Sequence, residues 1–279
     1  MKKYVGLFFR LCVYLGLVVV CITLFSLASS FIPHLGRLDR EVAQLVDQSL
    51  MLISVGLPAW WLLRRGGGRP CLALGLTWDG RGALEGTVCA LLIYAVGFGI
   101  NLLVGSVEVV GWQLCFSQLL LSWGLMLLVA FTEEIMVRGV ILGQMLQAGV
   151  NRYAALLLSS LLFSSLHLFN PNFSWLPFVN IVLAGLLLGT TYLYTRNLWF
   201  AISLHLFWNW LQGPVLGFPV SGNTLTGSVL TLYLPQPDGW NGGAFGFEGS
   251  WLCLVIQVVA ILSILRVAST RCDRARCQA

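Results

Sequence analysis

Three groups of polar side chains sit inside otherwise apolar runs of this 279-residue chain. The first is Glu133, Glu134 and Arg138, in the run Phe131-Thr132-Glu133-Glu134-Ile135-Met136-Val137-Arg138-Gly139. On a helix, Glu134 and Arg138 are four apart, share a face and can form an ion pair. Glu133 is turned about 100° from Glu134 and has no such local cation. Two adjacent carboxylates in a low dielectric resist double ionisation. Arg138 can hold Glu134 as the anion, which leaves Glu133 to exchange a proton, the property of a general base. The same three residues would equally suit a polar clamp between helices with no catalytic consequence.

The second and third groups are built on histidine, of which the chain has only three. His34 falls in a loop and reads as incidental. His167 follows Phe163 by four residues in Phe163-Ser164-Ser165-Leu166-His167, and Phe163 reads as a packing residue. His205 precedes Asn209 by four residues in His205-Leu206-Phe207-Trp208-Asn209, so these two project together. A single intramembrane histidine is commonly hydrogen-bonding glue between helices. Three polar sites on three separate runs supply more: a carboxylate base, an imidazole and neutral donors. Those parts can activate a water and hold a tetrahedral oxyanion. Other hydrolytic motifs have no counterpart here. There is no His-Glu-x-x-His, no Gly-x-Ser-Gly and no Gly-x-Gly-Asp. Ser159, Ser160, Ser164 and Ser165 read as helix-packing residues.

The elements that carry these groups are membrane spans by composition. Hydrophobic residues make up 58% and charged residues 10%, against about 25% charged in a soluble domain. Mean hydropathy is +0.85. The apolar runs are 11–32, 45–63, 83–104, 116–147, 153–170, 176–195, 198–213 and 250–267. About eight spans of about 20 residues use roughly 160 residues, so the expected fold is an all-α, polytopic transmembrane helix bundle. The first run is too long for a signal peptide and is read as a retained anchor. An ionisable residue facing lipid at a helix centre costs about 2.5–3.5 kcal/mol, so Glu133, Glu134 and Arg138 must face a partner or a wet cavity. His167 falls near one end of its run while Glu133 and His205 are central. A shared site therefore requires the fifth span to continue past Asn170 or to be displaced along the membrane normal.

Arginine and lysine set the orientation. Lys2 and Lys3, then Arg64, Arg65, Arg69 and Arg81, Arg152, Arg196, and Arg271, Arg274 and Arg276 all fall on one side. The other side holds only Arg37 and Arg40, offset by Asp39 and Glu41. Both termini are expected in the cytoplasm, with the chain multi-pass in the plasma (inner) membrane. The net charge of +5 is modest and spread over short loops, which excludes a nucleic-acid partner. The segment 214–249 is rich in Gly and Pro and reads either as a structured, re-entrant external loop or as a connector. The eight cysteines form no zinc or disulfide pattern and read as small buried hydrophobes. Cys277-Gln278-Ala279 is one residue short of a prenylation box.

Glu-Glu-x-x-x-Arg, then Phe-x-x-x-His, then His-x-x-x-Asn, in that order on separate apolar runs, resembles the CAAX protease and bacteriocin-processing family (CPBP, also called Abi), which are intramembrane endopeptidases. The resemblance covers about residues 116–249, including Gly217-Phe218-Pro219-Val220-Ser221-Gly222, and the motifs do not depart from the pattern. Residues 1–115 match only as generic helices, and 250–279 form a last span and basic tail of the same single membrane domain. The resemblance implies that Glu133 and His167 activate the attacking water, Glu134 and Arg138 support the site, and His205 and Asn209 stabilise the oxyanion. It implies a peptide or lipidated-protein substrate, including CaaX-type prenylated C termini, and no obligatory cofactor. Zinc is the alternative, since one glutamate and two histidines form a ligand set that zinc accepts. Two other functions use similar residues. One is a non-catalytic scaffold, immunity protein or partner-binding subunit on the same fold. The other is a proton-coupled transporter, disfavoured because no paired interrupted helices recur in the two halves.

Overall fold

Long Leu, Val and Ile runs without charge form helices that are apolar all round, and such helices need apolar surroundings on every side. The computed structural model describes residues 2–30, 39–224, 227–236 and 239–277. His34, Arg37, Pro237, Gln278 and Ala279 lie outside the described residues. The chain is mostly helical, and each of the eight apolar runs contains a helix. In order these are α1 (Lys2–Ser30), α2 (Arg40–Arg65), a short α3 (Pro70–Leu74), α4 (Gly80–Leu103), α5 (Phe116–Glu134), α6 (Gly143–Gln147), α7 (Arg152–Ser165), α8 (Trp175–Thr195), α9 (Trp199–Trp210) and α10 (Trp251–Cys277). Four helices, Lys3–Ser30, Arg40–Arg65, Gly80–Leu103 and Trp175–Thr195, are long and apolar enough to cross a membrane. Their outer faces carry exposed Phe8, Phe9, Leu24, Leu92 and Leu103, an apolar surface that suits lipid and not water.

Two interruptions of the α-helical register flank the polar residues. Helix α5 passes into a π-helical stretch, Ile135–Leu142, that begins directly after Glu134 and leads into α6. Helix α9 passes into a second, Leu211–Val215, two residues after Asn209. Pro214 lies inside the second stretch. Proline has no N–H for the carbonyl four residues back, and in the π register the following residue supplies the bond instead. π-Helical turns recur at functional sites.

Small residues let the helices that bear the site approach closely. At Gly185 of α8, an added Cβ would lie 2.8 Å from Cα of Ser160 in α7. Ser164 of α7 also donates to the Phe178 carbonyl of α8 at 2.9 Å, as expected of a packing serine. The cysteines depart from expectation. Of the six cysteines whose side chains are described, all free, only Cys253 is buried, while Cys12 and Cys71 are exposed. At Cys12, on a helix apolar enough to cross a membrane, a surface that faces lipid accepts a weakly polar thiol without burial.

The all-helical expectation is modified by one small sheet. Strand β1 (Glu108–Trp112) pairs antiparallel with β2 (Leu230–Tyr233), with a bulge between Val109 and Gly111. It ties the α4–α5 connection to the Gly- and Pro-rich segment. That segment is no free connector. Gly222 has φ +82° and donates its N–H to the Phe245 carbonyl at 3.0 Å, and a Cβ there would lie 1.9 Å from the Pro171 carbonyl oxygen. Gly222→Ala therefore combines left-handed strain with a backbone clash and should destabilise the fold by roughly 2–4 kcal/mol. Gly105→Ala, also at positive φ but with nothing within 4 Å of the added Cβ, should cost only about 1 kcal/mol. Denaturant unfolding of the two variants in detergent checks the contrast.

Candidate active site

Helices α5 and α9 lie side by side and bring together residues about 70 positions apart. Arg138 Nη1 donates to Glu134 Oε1 at 2.7 Å, the i,i+4 pair read from the sequence. Both side chains are fully buried. The guanidinium also donates from Nη2 to the Gly185 carbonyl at 3.3 Å and sits 4.3 Å over the Phe163 ring. His205 Nδ1 lies 2.9 Å from the same Glu134 oxygen. A carboxylate only accepts, so Nδ1 carries the proton of that bond. Glu134 thus joins Arg138 to His205 and fixes the imidazole by its inner nitrogen.

Glu133 takes the other direction, as the 100° rotation requires. Its Oε2 is 3.7 Å from His205 Nε2, an ion-pair distance too long for a hydrogen bond. Among the described residues, that oxygen is buried without a hydrogen-bond partner, as is Glu134 Oε2. The Glu133 side chain is 25% exposed, and what it faces is a partly open cavity.

The cavity has a volume of about 580 Å³, within the range of small-molecule sites. Glu133, His167, His205 and Asn209 all line it, and α1 and α2 add apolar wall through Leu15, Val18 and Val55. His205 and Asn209 are both buried, consistent with their shared helical face. Of the two routes foreseen for His167, continuation of the fifth span past Asn170 is not the one taken. Helix α7 stops at Ser165, earlier than the run drawn to residue 170. A turn then carries His167, closed by its N–H on the Ser164 carbonyl and by the Asn170 N–H on its own carbonyl, both 3.0 Å. His167 Nδ1 is 2.9 Å from the Phe163 carbonyl, so Nδ1 carries the proton and Nε2 of the neutral ring has a free lone pair. Phe163 packs against both imidazoles, with centroids 5.0 Å from His167 and 6.1 Å from His205. Among the described residues, no hydrogen bond or ion pair joins Glu133 to His167.

One functional-looking residue escaped the sequence reading. Glu248 is buried, lines the same cavity and accepts from Trp208 Nε1 at 2.9 Å. It belongs to the Gly-rich segment, where nothing periodic marks it as inward. Among the described residues, no group of three or more His, Cys, Asp or Glu side chains is disposed to hold a metal ion.

No curated protein and no solved structure matches the chain. Residues 115–211 match the family model of the type II CAAX prenyl endopeptidase Rce1-like proteins. That segment contains all three motifs, so over residues 115–211 the chain is similar to the CAAX protease family.

Proposed function

We propose that this protein is an intramembrane endopeptidase that hydrolyses a peptide bond without a metal, on CaaX-type prenylated or other membrane-proximal peptides. The observation that carries the reading is Glu133: a carboxylate with an oxygen that has no hydrogen-bond partner among the described residues, at the wall of a cavity shared with two histidines and an asparagine. In the proposed reaction, Glu133 takes a proton from a water that His167 Nε2 also holds. The water oxygen adds to the scissile carbonyl carbon. The oxyanion receives hydrogen bonds from Asn209 Nδ2 and His205 Nε2. Because Nδ1 of His205 is committed to Glu134, donation from Nε2 uses the imidazolium form. Collapse breaks the C–N bond, and the proton held by Glu133 passes to the leaving amine.

The apolar walls from α1 and α2 favour a substrate with a large apolar group beside the peptide bond. The Arg and Lys distribution supports a multi-pass protein in the plasma membrane with both termini cytoplasmic, all eight helical runs crossing the bilayer as one domain. Hydrolysis of a prenylated CaaX reporter peptide by the protein in liposomes, with and without a chelator, tests the reading. Cleavage untouched by chelator supports it, and cleavage abolished by chelator restores zinc. Absence of cleavage across prenylated and unprenylated membrane peptides would favour the scaffold. On the same assay, Asn209→Ala should lower kcat by about 10²–10³, the usual effect of one lost oxyanion donor.

A further inference from the structure

His167 stands outside its helix, so the hydrogen-bond ladder that fixes Glu133 and His205 does not extend to it. Its turn is instead tied across the molecule. Asn170 Nδ2 donates to the Ser221 carbonyl at 3.0 Å. Ser221 has φ +47°, a conformation that non-glycine residues adopt rarely and that marks functional sites when the surroundings enforce it. Here the enforcement is Glu248: the Ser221 N–H and Oγ–H both donate to its Oε2 at 2.8 Å. Glu248 in turn grips α9 and its π turn. It accepts from Trp208 Nε1 through Oε1 at 2.9 Å and from Gln212 Nε2 through Oε2 at 3.3 Å. Trp208 sits in sequence between His205 and Asn209. An unbroken chain of hydrogen bonds therefore runs from the helix bearing His205 and Asn209, through Glu248, Ser221 and Asn170, to the turn bearing His167.

We infer that Glu248 is a positioning residue which, through Ser221 and Asn170, sets His167 against the His205–Asn209 pair across the cavity. It lies outside the segment that the family model matches. Its effect on rate rests on the endopeptidase reading; its effect on His167 does not. A carboxylate that accepts four donors has no amide equivalent, because an amide turns an N–H toward some of them. A mere staple of the loop to the bundle would affect the yield of folded protein. A strut affects kcat and leaves KM, since the apolar walls on α1 and α2 are untouched.

The test uses the full chain in liposomes as wild type, Asn170→Ala, Glu248→Gln and the double variant. Two readouts are taken: kcat and KM on the prenylated reporter, and the rate of diethyl pyrocarbonate modification of His167 and His205 by mass spectrometry. Each single variant should lose about 10²-fold in kcat, the effect of a misplacement near 1 Å, with KM within about threefold of wild type. The double variant should lose no more than the worse single, because both cut the same strut. His167 should react faster in each variant while His205 does not change. Asn170→Ala removes one half-buried turn amide and carries the test if Glu248→Gln does not fold. Losses that multiply, or a His167 reactivity equal to wild type, would overturn the inference. A wild type that cleaves nothing removes the endopeptidase reading, and the modification rates still decide the strut.

Discussion

Glu133→Gln is expected to abolish turnover, lowering kcat by about 10³-fold or more, while the protein inserts and folds as before. Gln keeps the volume of the cavity wall and cannot take a proton, so the change removes general-base catalysis and little else. A positioned base contributes about 10²–10⁴-fold. The stability side of the prediction is equally specific. Among the described residues, Glu133 Oε2 is buried without a hydrogen-bond partner, and the basic side chain within ion-pair distance of it is His205, at 3.7 Å. A half-buried carboxylate with one oxygen so poorly compensated costs stability, and neutralising it should leave the midpoint of thermal unfolding unchanged or raised. Reporter hydrolysis and unfolding in the same detergent preparation measure both. Retained turnover would sink the water-activation role. A variant that loses activity together with several degrees of thermal stability would point to a structural clamp instead.

How much of this site was legible beforehand depends on whether the information is local. The Glu134–Arg138 pair follows from a four-residue spacing, and the structure places the two at 2.7 Å. The same arithmetic turned Glu133 toward a separate environment and put His205 beside Asn209. The bond between His205 and Glu134 joins residues 71 apart in sequence; no periodicity encodes it, because it depends on which helices neighbour each other. His167 was misjudged in its surroundings for a related reason. Apolar character continues through Leu166, Leu168 and Phe169, so the run extends to residue 170, but hydropathy does not report where backbone hydrogen bonding ends. Glu248 was missed because a glycine-rich segment has no helical or strand period to give a residue a direction. Its one local signal was an acid between Phe247 and Gly249 beside the apolar Phe245, in a segment otherwise poor in charge. The π-helical stretches were also invisible, since the π register shifts a helix face by a fraction of a turn without changing composition.

Arg138→Met and the double change Glu134→Gln with Arg138→Met should separate what holds the bundle together from what does the chemistry. Arg138 is the largest fully buried side chain of the described residues. Its guanidinium answers Glu134, the Gly185 carbonyl and the Phe163 ring. Met fills much of the same volume without charge. Alone, it leaves the Glu134 carboxylate buried with, among the described residues, only His205 as a donor, and breaking a buried pair from one side costs about 3–5 kcal/mol. The double variant has no charge to compensate, and replacing a whole buried pair by neutral groups of similar volume is often close to neutral. Most of the lost stability should therefore return in the double variant, by denaturant unfolding in detergent. Activity should not return with it. Gln at position 134 can still accept from His205 Nδ1, but it no longer stabilises the imidazolium that the proposed oxyanion donation from Nε2 requires. A double variant that is stable and inactive would mean that the Glu134–Arg138 pair is retained for the charge state of His205. A double variant that recovers both stability and turnover would mean that the pair is a packing element, and that His205 acts without it.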